Sequence, residues 1–206
     1  MHDMQMSEEE EPLGLRERKR QRTRETIARV ALELFDRQGF QETTIPQIAE
    51  AADVSPRTVS AYFPHKEDLA FPDAEAEFEA FDTRLRERLP GETAMDAMRA
   101  FIRATVEEAG KHVTERHARR RVIRGDDGLR AHELRYMRRV QEIIAAAIAR
   151  DLGVSADDLE PRMAAAATLT VFDMLGEDYG SASPAEVLAV MDRALLFIGG
   201  GISALR

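Results

Sequence analysis

The sequence predicts an all-α protein, with three short helices at the N-terminal end followed by a larger helical region. Three observations predict it. Apolar residues recur at helical spacing along most of the 206 residues, no stretch alternates as a half-buried strand would, and helix-capping signals stand at several of the starts.

The elements follow in order. An acidic opening, MHDMQMSEEEEP, is expected to be a disordered tail over residues 1–15. The run RERKRQRTR, Arg16 to Arg24, then carries six basic residues in nine. Ile27, Val30, Ala31, Leu34 and Phe35 mark one helix face, and Gly39 with Phe40 reads as a helix-ending glycine with its hydrophobic contact. At TIPQ, Thr44 and Gln47 stand at capping-box spacing, Pro46 falls in the first turn, and Ile45, Ile48, Ala49 and Ala52 form an apolar face. A brief turn at Asp53 and Val54 leads to Ser55 as N-cap and Pro56 as first helical residue of a third helix. Val59 and Phe63 face inward there, and Pro64 ends it.

Past Pro64 the chain stays helical. HKEDLAF leads through Pro72, a kink or restart, into a helix over Ala74–Leu89 that Pro90 and Gly91 stop. TAMDAMRAFIRATVEEAG sets Met95, Met98, Phe101, Ile102 and Val106 on one stripe. Further helices are expected over 111–124, 127–152 with Gly153 as stop, and 156–176. The last begins at SPAE, where Ser183 and Glu186 repeat the capping box and Pro184 takes the first turn. About nine helices result, with a domain over 16–66 and a second over 67–206.

Composition narrows the function. Cysteine is absent, which excludes disulfides and thiolate metal sites and fits a reducing, cytoplasmic setting. No signal-peptide core or membrane-length apolar run is present. The net charge of −9 argues against a nucleic-acid partner, but its distribution argues for one, because the basic residues concentrate early. The run Arg16 to Arg24 is either a solvated helix start or part of an electropositive end. No nucleophile elbow, phosphate-cradling loop or metal cluster occurs, so neither a catalytic site nor a cofactor is expected. His112 and His117, five residues apart, diverge by about 140° on a helix, which disfavours a shared metal.

Two helices joined by a tight turn make a helix-turn-helix, whose second helix enters the DNA major groove. With Val59 and Phe63 inward, Arg57 and Ala61 lie opposite, flanked by Thr58 and Ser60. Arg57 suits a bidentate contact to guanine, Ala61 a close approach or a thymine methyl, and the Tyr62 hydroxyl a phosphate. Ser55 opens a helix start whose amides seat a phosphate, and Lys66 extends the positive rim.

From about Arg22 to Phe71 the chain resembles the TetR family of transcriptional regulators, through ALELFDRQGFQETTIPQIAEAADVSPRTVSAYFPHKEDL. The resemblance implies a homodimer on double-stranded operator DNA, with a small DNA-binding domain and a larger domain that senses a small molecule. It implies DNA contacts at Thr44, Gln47, Ser55, Pro56, Arg57, Thr58, Ser60, Ala61, Tyr62 and Lys66. Ala61 departs from members that place a larger or polar side chain there. The segment ARRRVIRGDDGLRAHELRYMRRVQEIIAAAIARDLGVSADDLEPRMAAAATL is similar to the ligand domains of regulators of the mycofactocin-regulator type, which implies an acyl-CoA or related acidic effector.

In the larger domain Arg116, Arg120 and Arg124 stack at i, i+4, i+8, as a salt-bridged face or as an anchor for an anionic ligand. Phe101, Tyr136, Met137 and Phe172 are core residues or the lining of a pocket. Asp173, inside an apolar run, is a pocket carboxylate or the partner of an arginine. A dimer is expected on the last two helices, through the alanine-rich Met163–Thr168 and the stripe Val187, Leu188, Met191, Leu195 and Ile198. Three functions compete: a ligand-responsive repressor, a ligand-independent DNA-binding or architectural protein, and a helical enzyme.

Overall fold

The computed structural model describes residues 14–109, 113–178 and 182–204. The acidic run Glu8 to Glu11 and His112 lie outside them. Among the described residues every regular element is helical: α1 (Leu15–Gln38), α2 (Ile45–Ala51), α3 (Pro56–Tyr62), α4 (Ala74–Arg86), α5 (Ala94–Ala109), α6 (Val113–Arg124), α7 (Asp127–Leu152), α8 (Leu159–Asp178) and α9 (Pro184–Ser203). A 3-10 turn over Glu67–Leu69 joins α3 to α4.

The local signals act as the residues dictate. The Gly39 amide donates to the Phe35 carbonyl at 2.9 Å, and the Phe35 and Phe40 rings meet edge-on at 5.0 Å, which closes α1. Thr44 and Gln47 cap α2 reciprocally, the Thr44 amide donating to Gln47 Oε1 at 2.8 Å. Between α2 and α3, Asp53 takes a φ of 54°, a left-handed conformation that Asp tolerates, while the Val54 amide donates to the Ala49 carbonyl. Gly153 ends α7 at φ 70°.

Two boundaries differ from the expectation. Helix α4 ends at Arg86, short of Leu89, because Glu92 accepts from the Leu89 amide and pairs with Arg84, which caps the loop instead. Helix α8 starts at Leu159, because Ser155 and Asp158 close a turn ahead of it, the Ser155 amide donating to the Asp158 carboxylate at 3.0 Å.

Two cores organise the chain. The first joins Ile27, Leu34 and Phe35 of α1 to Ile48, Val59, Phe63 and Leu69, and is completed by Val122, Ile123 and Leu129 from the α6–α7 corner. Burying side chains such as Val59 and Phe63 contributes about 1.5–3 kcal/mol each. The second joins Phe81, Leu85, Met98, Ile144, Ile148, Met191 and Leu195 across α4, α5, α7 and α9. This corrects the expected dimer stripe. Met191 and Leu195 are 3% and 1% exposed inside their own fold, because α9 packs on α5 and α8. Among the described residues of the last two helices, the large apolar side chains left outside are Leu196 and Phe197 on α9 and Leu159, Met163 and Met174 on α8, with Phe197 at 84% exposure.

Candidate functional site

Helix α3 is short, and its caps set what it can present. The Ser55 hydroxyl accepts from the Thr58 amide at 3.0 Å and lies 2.8 Å from the Thr58 hydroxyl, so both side chains serve the start of the helix. Val59 and Phe63 are buried. Ser55, Pro56, Arg57, Ser60 and Ala61 are exposed, which puts a small, flat face with one long cation on the outside of the head. Tyr62 is half-buried against the head's core, so its ring is packed at the edge of that face. Thr44 and Gln47, both exposed, stand at the start of α2 as each other's caps.

Lys66 is half-buried against the loop that follows α1. Its ammonium lies 4.3 Å from the Phe40 ring and donates to the Gln41 carbonyl at 3.4 Å. Burial lowers its affinity for a proton, opposed by Glu67, Asp126 and Glu42.

Lys66 belongs to a joint between head and body that the sequence did not reveal. Gln41 donates to Asp126 at 2.6 Å, Arg121 grips Asp36, and Arg119 donates to the Ala70 carbonyl at 3.1 Å. Burial alone would raise the Asp126 carboxyl, but Gln41 and the amides of Leu129 and Gly128 hold it below its ordinary value. Phe71 stacks on His132 of α7 at 5.2 Å, and Tyr136 packs on both Phe71 and Phe78. The partners in this joint lie far apart in sequence, and no spacing rule connects them.

In the body the six expected ligand residues divide. Phe101 meets Phe81 at 5.0 Å, and both Phe101 and Phe172 pack on the second core. Tyr136 belongs to the joint, and Met137 is exposed. Arg120 and Arg124 of α6 are exposed on a shared face with Glu133 of α7 and Asp173 of α8 nearby. Although the residue is exposed at the surface, partial desolvation of its guanidinium lowers the proton affinity of Arg120, helped by Arg124 and Arg116 and opposed by Glu133 and Asp173. Burial raises the Glu133 carboxyl above its usual range, against the pull of Arg120 and Arg124. Asp173 therefore faces arginines within its own chain. Three arginines of α6 and two acids of α7 and α8 thus stand within electrostatic reach of one another. Among the described residues no group of three or more His, Asp or Glu is arranged to hold a metal, and no helix is long and apolar enough to cross a membrane.

A helix-turn-helix with an exposed reading face, set on a larger helical body, defines the class of helix-turn-helix transcriptional regulators. Residues 27–71 match the family of bacterial regulatory proteins of the tetR type, and residues 92–203 match the MftR C-terminal domain. TcmR of Streptomyces glaucescens, an HTH-type transcriptional regulator, is 39% identical over 151 residues, covering 70% of this chain and 67% of that protein. MftR of Mycobacterium tuberculosis is 28% identical over 198 residues, covering 91% of this chain and 95% of that protein. Among solved structures, the TetR-family repressor FadR of Thermus thermophilus, in complex with lauroyl-CoA, superposes with a TM-score of 0.58 at 23% identity, over 85% of this chain and 92% of that one. The chain belongs to the TetR family of transcriptional regulators, with a C-terminal domain of the MftR type.

Proposed function

We propose that the chain is a ligand-responsive repressor that binds a palindromic operator as a homodimer and leaves it when a small-molecule effector fills the body. The observation that carries this reading is the exposed face of α3, where Arg57 and Ala61 stand clear of the head while Val59 and Phe63 are fixed in its core. A face of that size fits a major groove, with Arg57 donating to guanine and the amides at Ser55 and Pro56 meeting a phosphate. Thr44, Gln47, Thr58, Ser60 and Tyr62 flank it as backbone contacts. Lys66, turned into the joint, holds the α1–α2 loop in place.

The working division is a tail over 1–15, a DNA-binding head over 16–66 and a body over 67–206 that dimerises and senses. The dimer forms over the outer faces of α8 and α9, where Met163, Met174, Leu196 and Phe197 are exposed. The effector is acidic, with its anionic group on Arg120 and Arg124 and its apolar part against Met137 and Phe172. The bound lauroyl-CoA of the FadR relative is an acidic, long-chain molecule of that kind. The setting is cytoplasmic, where operator DNA is met.

A mobility-shift titration on the DNA upstream of its own gene tests this, with acyl-CoA esters and other acidic metabolites as effectors. Operator binding released by an acidic ligand is expected, with release lost in the Arg120→Ala, Arg124→Ala double variant while DNA affinity is kept. Release of equal size from both proteins removes these arginines from the mechanism, and binding that no ligand changes leaves a ligand-independent DNA-binding protein.

A further inference from the structure

The basic run that opens α1 is not uniform. Arg16, Arg18, Lys19, Arg20 and Arg22 are exposed, whereas Arg24, its last member, is half-buried on the inner side of the head. Its guanidinium lies 4.4 Å over the ring of the buried Phe63, donates to the Tyr62 carbonyl at 3.0 Å, and donates through its other Nη to the Pro72 carbonyl. One planar group thus joins α1, the last residue of α3 and the segment that leads into α4.

The end of α3 needs such a partner. A helix leaves its last carbonyls without intrahelical donors, and seven residues are too few to hold a helix by themselves. Pro64 has no amide to give the Ser60 carbonyl, and the His65 amide donates to the Asp68 carboxylate at 2.9 Å. The ladder therefore closes with the Phe63 amide on the Val59 carbonyl at 2.9 Å. Val59 and Phe63 stand one turn apart, so their burial fixes a single line about 6 Å long, about which a short helix can still roll. At its start α3 is capped by Ser55, which belongs to the same segment and moves with the helix. Arg24 holds the other end from outside it.

We infer that Arg24 is the positioning residue of the reading helix, its fork setting the roll of α3 so that Arg57 and Ala61 meet base edges while Arg24 itself touches no DNA. This rests on the reading of α3 as the helix in the groove. Rolling α3 misaligns a bidentate contact from Arg57, while contacts to phosphates carry no sequence information, so the loss falls on discrimination. Lysine is no substitute, because an ammonium carries the charge but not two parallel donors on a plane that stacks over Phe63.

The experiment compares wild type, Arg24→Lys, which keeps the charge, and Arg24→Met, which keeps an apolar stem over Phe63. Wild type first selects its operator from random duplexes, and affinities for that operator and for unrelated duplex DNA are then titrated with salt. Both variants should bind the operator at least about 10-fold more weakly, the scale of one lost base-pair contact, and should select a less defined site from the random pool. Affinity for unrelated DNA and the salt slope should stay as in wild type, since a lost phosphate contact would lower the slope by about 0.9 and none is removed. In the protein without DNA, the Phe63 amide should exchange with solvent faster in both variants, with the core amides of α1 unchanged. Full operator affinity in Arg24→Lys would reduce the residue to a charge, and in Arg24→Met to packing; either overturns the assignment. So would a lowered slope in Arg24→Met alone, the sign of a phosphate contact, or unfolding of both variants, the sign of a residue needed only for stability. Unchanged Phe63 exchange would overturn the clamp whatever the DNA titrations show. Wild type that selects no site would instead defeat the reading of α3, with the exchange result still deciding whether Arg24 holds the helix.

Discussion

Arg121 of α6 meets Asp36 of α1 through two hydrogen bonds, Nε to Oδ1 at 3.1 Å and Nη2 to Oδ2 at 2.8 Å, and so ties the body to the far end of the helix that carries the head. The pair is exposed and holds the Arg121 proton more firmly than usual. Exposed pairs add little to stability, so its value lies in position. Asp36→Asn should leave the melting temperature nearly unchanged and operator affinity intact, but should weaken effector-driven release. Release curves at matched effector concentrations check this, and an unaltered response would remove the pair from the coupling.

Ser55 and Arg57 should fail differently. Arg57→Ala should cost about 1–3 kcal/mol of operator binding and relax base preference, with the fold intact. Ser55→Ala should cost about 0.5–2 kcal/mol of stability through the lost cap of α3, with binding weakened on all sequences. Thermal melts beside a selection on randomised half-sites separate the two. Retained base preference in Arg57→Ala would end its role as the reader.

Leu195 and Phe197 are two residues apart and should respond oppositely. Leu195→Glu places a charge in the second core and should unfold the body, by several kcal/mol or more. Phe197→Glu alters an exposed side chain and should yield folded monomers that bind the operator weakly. Light scattering with circular dichroism decides it; a folded Phe197→Glu dimer would move the interface elsewhere.

Glu133 has a sign that can be worked out. Its carboxyl holds a proton more tightly in the fold than in the unfolded chain, so its ionised form opposes folding at neutral pH. Glu133→Gln should raise the melting temperature near pH 7. The gain should shrink as pH falls through the raised folded value and vanish below about 4.3, the ordinary glutamate value, where both states are protonated. A gain that persists at low pH would point to packing in place of charge.

The four consecutive acids Glu8 to Glu11 precede the arginines of α1 by a few residues. They should compete with DNA for those arginines. Deleting residues 1–12 should tighten DNA binding modestly at low salt, with the difference fading as the screening length falls below about 8 Å. Identical salt titrations for the two forms would dismiss the competition.

Much of the head was legible because its signals are local. Thr44 with Gln47, Ser55 with Pro56, and Gly39 with Phe40 each act within four residues, and each appears where the spacing put it. The body was legible as helices and much less as a site. Periodicity shows that α9 has an apolar stripe but not what covers it, so Leu195 and Phe197 were distinguishable only once α5 and α8 were in place. The contacts of Lys66 with Phe40 and Gln41 come from 25 and more residues away, which no local spacing shows. Tyr136 and Phe101 share a pattern and go to different clusters, since the pattern fixes a face of one helix and says nothing of its neighbour.

Val122, Ile123 and Leu129 are at most 7% exposed, and the core they complete is otherwise built from residues 27–70. A fragment cut after residue 71 would carry an apolar hollow where those three side chains belong. Grafting this head onto another sensor would therefore require the α6–α7 corner to travel with it, or a matching corner in the recipient. Chimeras joined only at the linker before α4 would be expected to aggregate, whereas chimeras that also exchange residues 119–130 would keep a sealed core and a working DNA-binding half.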